Sequence, residues 1–150
     1  MEIKNNFTCS ISAKISAIEA TNKISNVTDW WGVTFTGSAK KRRDNFVVKM
    51  GGNSFFNFTV REFIPGKRIV WYITDCNMPW YSNHKEWAKT NIIFNLSENN
   101  GMTTVDFMHE GLTPDIECYE ECNEGWTHWI KTSLFSYLTT GKGVFRASTK

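Results

Sequence analysis

Between Gly32 and Gly111 apolar side chains recur at every second residue, in short runs separated by turn residues, and only after Pro114 does the spacing become that of one long helix. Period-two spacing is that of strands with one buried face. An antiparallel sheet is the simplest arrangement of such a string of strands. Val33 and Phe35 alternate before Gly37, and Phe46, Val48 and Met50 alternate before Gly51-Gly52-Asn53. Phe56, Phe58 and Val60 precede Pro65-Gly66-Lys67. The next run, Arg68 to Thr74, is apolar on both faces through Ile69, Val70, Trp71, Tyr72 and Ile73, which predicts a central strand. A polar connection from Asp75 to Glu86 leads to a hairpin of Trp87–Leu96 and Met102–Gly111, turned at Asn100-Gly101.

At the front of the chain Phe7, Cys9 and Ile11 share one face of a first strand. Helical spacing follows from Lys14 to Asn22, with Ile15, Ile18 and Ala20 as its apolar stripe, and a second short helix is predicted from Asn26 to Trp31, stopped by Gly32. At the other end Asp115 is the expected cap of a helix running to Thr139 and stopping at Gly141. At about 100° per residue, Tyr119, Cys122, Trp126, Trp129, Ile130, Ser133 and Tyr137 fall on one face, with Glu121, Glu124, His128 and Lys131 opposite. The predicted fold is α+β: a curved antiparallel sheet of six or seven strands around a long C-terminal helix, with two short helices after the first strand. One domain over residues 1–150 accounts for every element.

Seven Trp, eleven Phe and four Tyr exceed what a core of this size needs for stability, which points to a wide or partly hollow interior. Seventeen basic against fifteen acidic residues is too even a balance for tracking phosphates, which argues against a nucleic-acid partner. No run approaches the ~20 apolar residues of a membrane span, and no apolar leader follows Met1-Glu2-Ile3-Lys4, so a cytoplasmic location is expected. There Cys9, Cys76, Cys118 and Cys122 should be reduced. Cys118 and Cys122 stand one helical turn apart, a spacing that accommodates a disulfide poorly.

Several strings, in order and spacing, resemble the START-like (helix-grip, SRPBCC) superfamily, in the branch related to the C-terminal domain of the Hsp90 ATPase activator. They are Asn26-Val27-Thr28-Asp29-Trp30-Trp31, Phe63-Ile64-Pro65-Gly66-Lys67-Arg68-Ile69-Val70-Trp71, Glu86-Trp87 and His109-Glu110-Gly111-Leu112-Thr113-Pro114. Further similarity lies in Glu117-Cys118-Tyr119, Cys122, Gly125-Trp126, Ser133-Leu134 and Gly141-Lys142-Gly143. The resemblance implies a helix-grip fold. It leaves function open, because the superfamily holds lipid and hormone carriers, polyketide cyclases, oxygenase domains and co-chaperone domains.

A cavity between sheet and helix would be lined by Trp31, Phe56, Phe58, Trp71, Phe107 and His109 below Tyr119, Cys122, Trp126 and Trp129. Its expected occupant is a small apolar molecule, a lipid or an aromatic metabolite. Alternation places His109 on the inward face, either as a hydrogen-bonded structural residue at the strand-to-helix junction or as an acid-base group for a cyclase or dehydratase. A third reading is a protein-interaction module with a filled core. Cofactors are not implied. Metal binding by His109, Cys118 and Cys122 is disfavoured, because zinc-type spacing and a further ligand are missing. Trp30-Trp31 and Trp80-Tyr81 could gate the cavity mouth or plug it, and Lys40-Lys41-Arg42-Arg43 reads as a solvated turn.

Overall fold

The computed structural model describes residues 5–145, so the first four residues of the leader reading lie outside it. Seven strands form one antiparallel sheet: β1 (Phe7–Ala13), β2 (Thr34–Gly37), β3 (Asn45–Lys49), β4 (Phe55–Ile64), β5 (Arg68–Asn77), β6 (Asn91–Asn99) and β7 (Met102–Glu110). The order is β1-β7-β6-β5-β4-β3-β2. From β2 to β7 each strand lies beside its predecessor. β1 then completes the far edge, with Phe7 opposite His109 and Ile11 opposite Val105. β5 is the central strand, which explains its apolar character on both faces: Ile69, Trp71 and Ile73 are buried inward and Val70 is buried on the other side. Register shifts interrupt the β4–β5 pairing at Asn57/Phe58 and Val60/Glu62, and irregularities of this kind bend and twist a strand locally.

Several sequence expectations are corrected. The first helix, α1 (Ala17–Ile24), begins later than Lys14 because Ser16 Oγ accepts the Glu19 N–H at 3.1 Å and fixes the N-terminus there. Its buried face becomes Ala17, Ala20, Thr21 and Ile24, and Ile18 is exposed. The expected second helix is only a 3₁₀ turn, Val27–Asp29, too short to propagate. Met50 and Trp87 lie outside the strands assigned to them. β3 ends at Lys49 where Met50 N–H turns to Ser54 Oγ, and β6 cannot start before Asn91 because Lys89 adopts φ 65°.

The C-terminal helix runs without a break through α2 (Tyr119–Trp126), a π-helical stretch (Thr127–Leu134) and α3 (Phe135–Thr140). Asp115 does not cap it. Its carboxylate accepts from Thr113 Oγ1, while the N–H groups of Glu117 and Cys118 are taken by the Glu86 carboxylate at 2.7 and 2.9 Å. The π-helical stretch has more residues per turn than an α-helix. It therefore aligns Trp126, Ile130, Leu134 and Leu138 at four-residue spacing on the buried face, beside Ser133 and Tyr137. The uniform 100° projection omitted both leucines.

Between helix and sheet the middle of the core is solid. Phe46 and Phe58 stack at 4.6 Å, and both meet Trp71 edge-on. From Trp71 the ring contacts run through Phe94 and Phe107 to Trp126 and on to Trp31, with centroids 4.7 to 5.2 Å apart. These offset and edge-to-face geometries are favourable aromatic packing, and they leave no hollow at the sheet's centre.

Candidate functional site

His109 ends the inward row of β7 and is fully buried. Its Nδ1 accepts the Trp126 indole N–H at 3.0 Å, and its Nε2 lies 2.9 Å from Thr90 Oγ1. Because Nδ1 is an acceptor, the single proton of the neutral ring sits on Nε2 and is donated to Thr90. Thr90 Oγ1 in turn donates to Trp87 O at 2.6 Å. Burial holds the imidazole neutral by pulling its pKa down to about 3. The ring thus ties β7, the turn before β6 and the helix together. Tyr119 makes neither of these bonds: it packs partly buried against the core and borders a groove with Pro114, Ile116 and Glu117.

Beside the solid centre a pocket of about 220 Å³ remains, near the N-terminal half of the C-terminal helix. Trp31, Phe56, Trp87 and Trp126 form its inner wall, and Cys122, Gly125 and Trp129 contribute one helix face. Met50, Met78, Trp80, Tyr81 and Glu121 complete the lining, with Met50, Trp80 and Glu121 exposed at the rim. Gly125 is one of the lining residues, and a Cβ placed on it would meet nothing within 4 Å. A glycine inside a helix costs about 1 kcal/mol relative to alanine. Trp31, Met50 and Trp129 also line a more open groove of about 710 Å³ that extends to Phe145.

Among the residues singled out from sequence, Trp31, Phe56, Cys122, Trp126 and Trp129 line this pocket. Phe58, Trp71 and Phe107 belong to the ring-filled core instead, and His109 lies behind Trp87 and Trp126. Trp30 is not a gate residue: it is fully buried, and its indole N–H donates to Ile24 O. Trp80 and Tyr81 do stand at the mouth. Their loop is held to the helix by Tyr81 Oη donating to Glu121 and by Ser82 N–H donating to Glu117 at 2.9 Å. Lys40, Lys41, Arg42 and Arg43 are all exposed around a turn organised by Asp44, whose carboxylate accepts from Ser38 and the N–H groups of Lys40 and Lys41. Those bonds hold the Asp44 carboxyl below its ordinary range, with Ser38 the largest contributor.

The residues that sequence reasoning missed are Met50, Met78, Trp87, Glu121 and Gly125. Gly125 carried a usable signal: a helix-interior glycine between Cys122 and Trp129 on an aromatic face.

All four cysteines are free thiols. Cys118 is buried, Cys122 is partly exposed at the pocket, and their sulfurs are 2.6 Å apart. The neighbouring Cys122 sulfur, and then burial, push the Cys118 thiol far above its ordinary range. Burial raises Cys9 to about 11. No group of three or more His, Cys, Asp or Glu side chains among the described residues is arranged to hold a metal, and none of their helices is long and apolar enough to cross a membrane.

No protein of curated function matches the chain. Among solved structures, the Aha1 dimer from Colwellia psychrerythraea is similar at TM-score 0.74 and 25% identity, covering 93% of this chain and 99% of that one. DynU16, a putative protein of the dynemicin biosynthetic locus, is similar at TM-score 0.67 and 16% identity over 94% of this chain, which spans about half (49%) of that protein. A Chromobacterium violaceum protein gives TM-score 0.66 and 14% identity, with 89% and 96% of the two chains covered. The last two likenesses establish the helix-grip fold. The family model described as "Activator of Hsp90 ATPase homolog 1-like protein" matches residues 20–139, and the chain belongs to that family.

Proposed function

We propose that this protein binds a small, predominantly apolar molecule, about one aromatic ring in size, in the pocket beneath Trp80 and Tyr81. The observation that carries the reading is the aromatic-walled hollow kept open over Gly125. Its size limits the ligand: about 220 Å³ is below the ~300–1,000 Å³ of drug-sized sites but above the ~150 Å³ cavity that accepts benzene. An acyl chain would have to continue into the groove toward Phe145. The reading takes a cytoplasmic setting, in keeping with four free thiols.

Burying roughly 200 Å² of ligand surface at about 25 cal/mol per Å² yields about 5 kcal/mol, hence a dissociation constant near 1 mM after ordering costs. Toluene titrated against the protein by calorimetry should show that affinity, almost unchanged between low and high salt. Absence of saturable binding at millimolar toluene would sink the proposal. A cyclase or dehydratase reading loses support because both His109 ring nitrogens are engaged behind the pocket wall.

A second reading, a protein-interaction surface, is favoured by the exposed apolar residues Met50, Trp80 and Phe145 around the pocket and groove. The Colwellia relative is described as a dimer. Sedimentation at increasing concentration distinguishes the readings. Self-association lost in Trp80→Asp, without toluene binding in the parent protein, would favour an interface.

A further inference from the structure

We propose that Cys118 and Cys122 form an oxidation site: a dithiol that a two-electron oxidant such as hydrogen peroxide closes to a disulfide across the start of the C-terminal helix. Two residues four apart inside a regular helix are poorly placed for such a bond, and sequence reasoning that began the helix at Asp115 put both there. The helix instead begins at Tyr119, and Cys118 precedes it with φ −82° and ψ 0°. That backbone departs from the helical ψ near −42° and brings the two sulfurs to 2.6 Å. This distance lies between ordinary sulfur contact and the ~2.05 Å of a covalent bond. Closure therefore needs a small side-chain movement.

The two thiols differ in access. Cys122 lines the pocket and is partly exposed, while Cys118 is fully buried behind it. Peroxide arriving through the mouth meets Cys122 first. The Cys122 sulfur, as thiolate, attacks one peroxide oxygen; the O–O bond breaks, hydroxide leaves, and a sulfenic acid forms. The Cys118 sulfur then attacks the Cys122 sulfur, the S–OH bond breaks, and the departing hydroxide takes the Cys118 proton to become water. The proton first released by Cys122 neutralises the first hydroxide. Two thiols and one peroxide thus become one disulfide and two waters, with each sulfur oxidised by one electron and the peroxide reduced by two. A resolving thiol this near favours the disulfide over further oxidation to sulfinic acid.

The same turn carries Glu117 and Glu121, which hold the Ser82 N–H and the Tyr81 hydroxyl of the loop over the pocket. Closing the disulfide draws the Cys122 sulfur toward Cys118 and off the pocket wall. The oxidation site itself stands whatever the pocket binds.

The test uses the full chain with Cys9→Ser and Cys76→Ser, so that the remaining two thiols report alone. One equivalent of hydrogen peroxide should lower the intact mass by about two daltons, the two hydrogens lost, and remove both thiols from alkylation. Adding Cys118→Ser should abolish the mass loss and leave an oxygen adduct on Cys122, and dithiothreitol should restore the parent mass. In the unsubstituted chain the loss should map to a peptide containing both residues, which guards against a misfolded variant. Oxygen adducts on Cys122 without the mass loss, two thiols that remain alkylatable after peroxide, or a mapped bond involving Cys9 or Cys76 would each overturn the proposal.

Discussion

Replacing Gly125 by leucine should make the protein more stable while closing its pocket. Gly125 lies in α2, its backbone is outside the left-handed region, and a Cβ there meets no atom within 4 Å. Leucine recovers about 0.8 kcal/mol of helix propensity lost to glycine. Laying its side chain against Trp126 and Trp129 adds roughly 1 kcal/mol, about half the value of full leucine burial. The sum, near 2 kcal/mol, corresponds to a rise in Tm of about 4–8 °C for a chain of this length. Urea unfolding followed by tryptophan fluorescence gives the stability, and calorimetry gives toluene affinity, which should fall at least tenfold. Gly125→Ala is the control: it should gain about 1 kcal/mol and retain most of the binding. A destabilised Gly125→Leu protein, or one that binds toluene as well as its parent, would refute the assignment of this space as the binding pocket.

Two further perturbations test the frame around the pocket. His109 is neutral when folded, with its pKa near 3, but ordinary near 6.5 when unfolded, so the unfolded chain binds the extra proton between those values and stability falls as pH drops below 6.5. Unfolding free energy should decline by about 2 kcal/mol from pH 6.5 to pH 5, and His109→Gln should remove that slope along with part of the stability. Glu86→Ala frees the N–H groups of Glu117 and Cys118, and chemical denaturation should show a loss of about 1–2 kcal/mol.

The sheet was legible because its information is local. Alternation and turn residues identify each strand, and the doubly apolar run at Ile69–Ile73 marks β5 as central before any pairing is known. Three features depended on contacts distant in sequence. Glu86 caps a helix more than thirty residues away, which moved the helix start from Asp115 to Tyr119 and left Cys118 outside regular helix. The π-helical stretch rotated the buried face onto Leu134 and Leu138, a change of winding that no single residue signals. At the candidate site, composition indicated a surplus of rings but not their arrangement. Phe58, Trp71 and Phe107 fill the centre, and the space appears at one end, where Gly125 has no side chain.

Trp indole resonances provide the most direct test of where an apolar molecule sits, since the seven tryptophans sample both the solid centre and the pocket. In two-dimensional proton–nitrogen spectra, toluene should progressively shift the side-chain N–H signals of Trp31, Trp87, Trp126 and Trp129 while those of Trp30 and Trp71 stay in place. Movement of Trp71 and Trp30 with the others unchanged, or no movement anywhere at saturating toluene, would contradict a binding space confined to the end of the core beside Gly125.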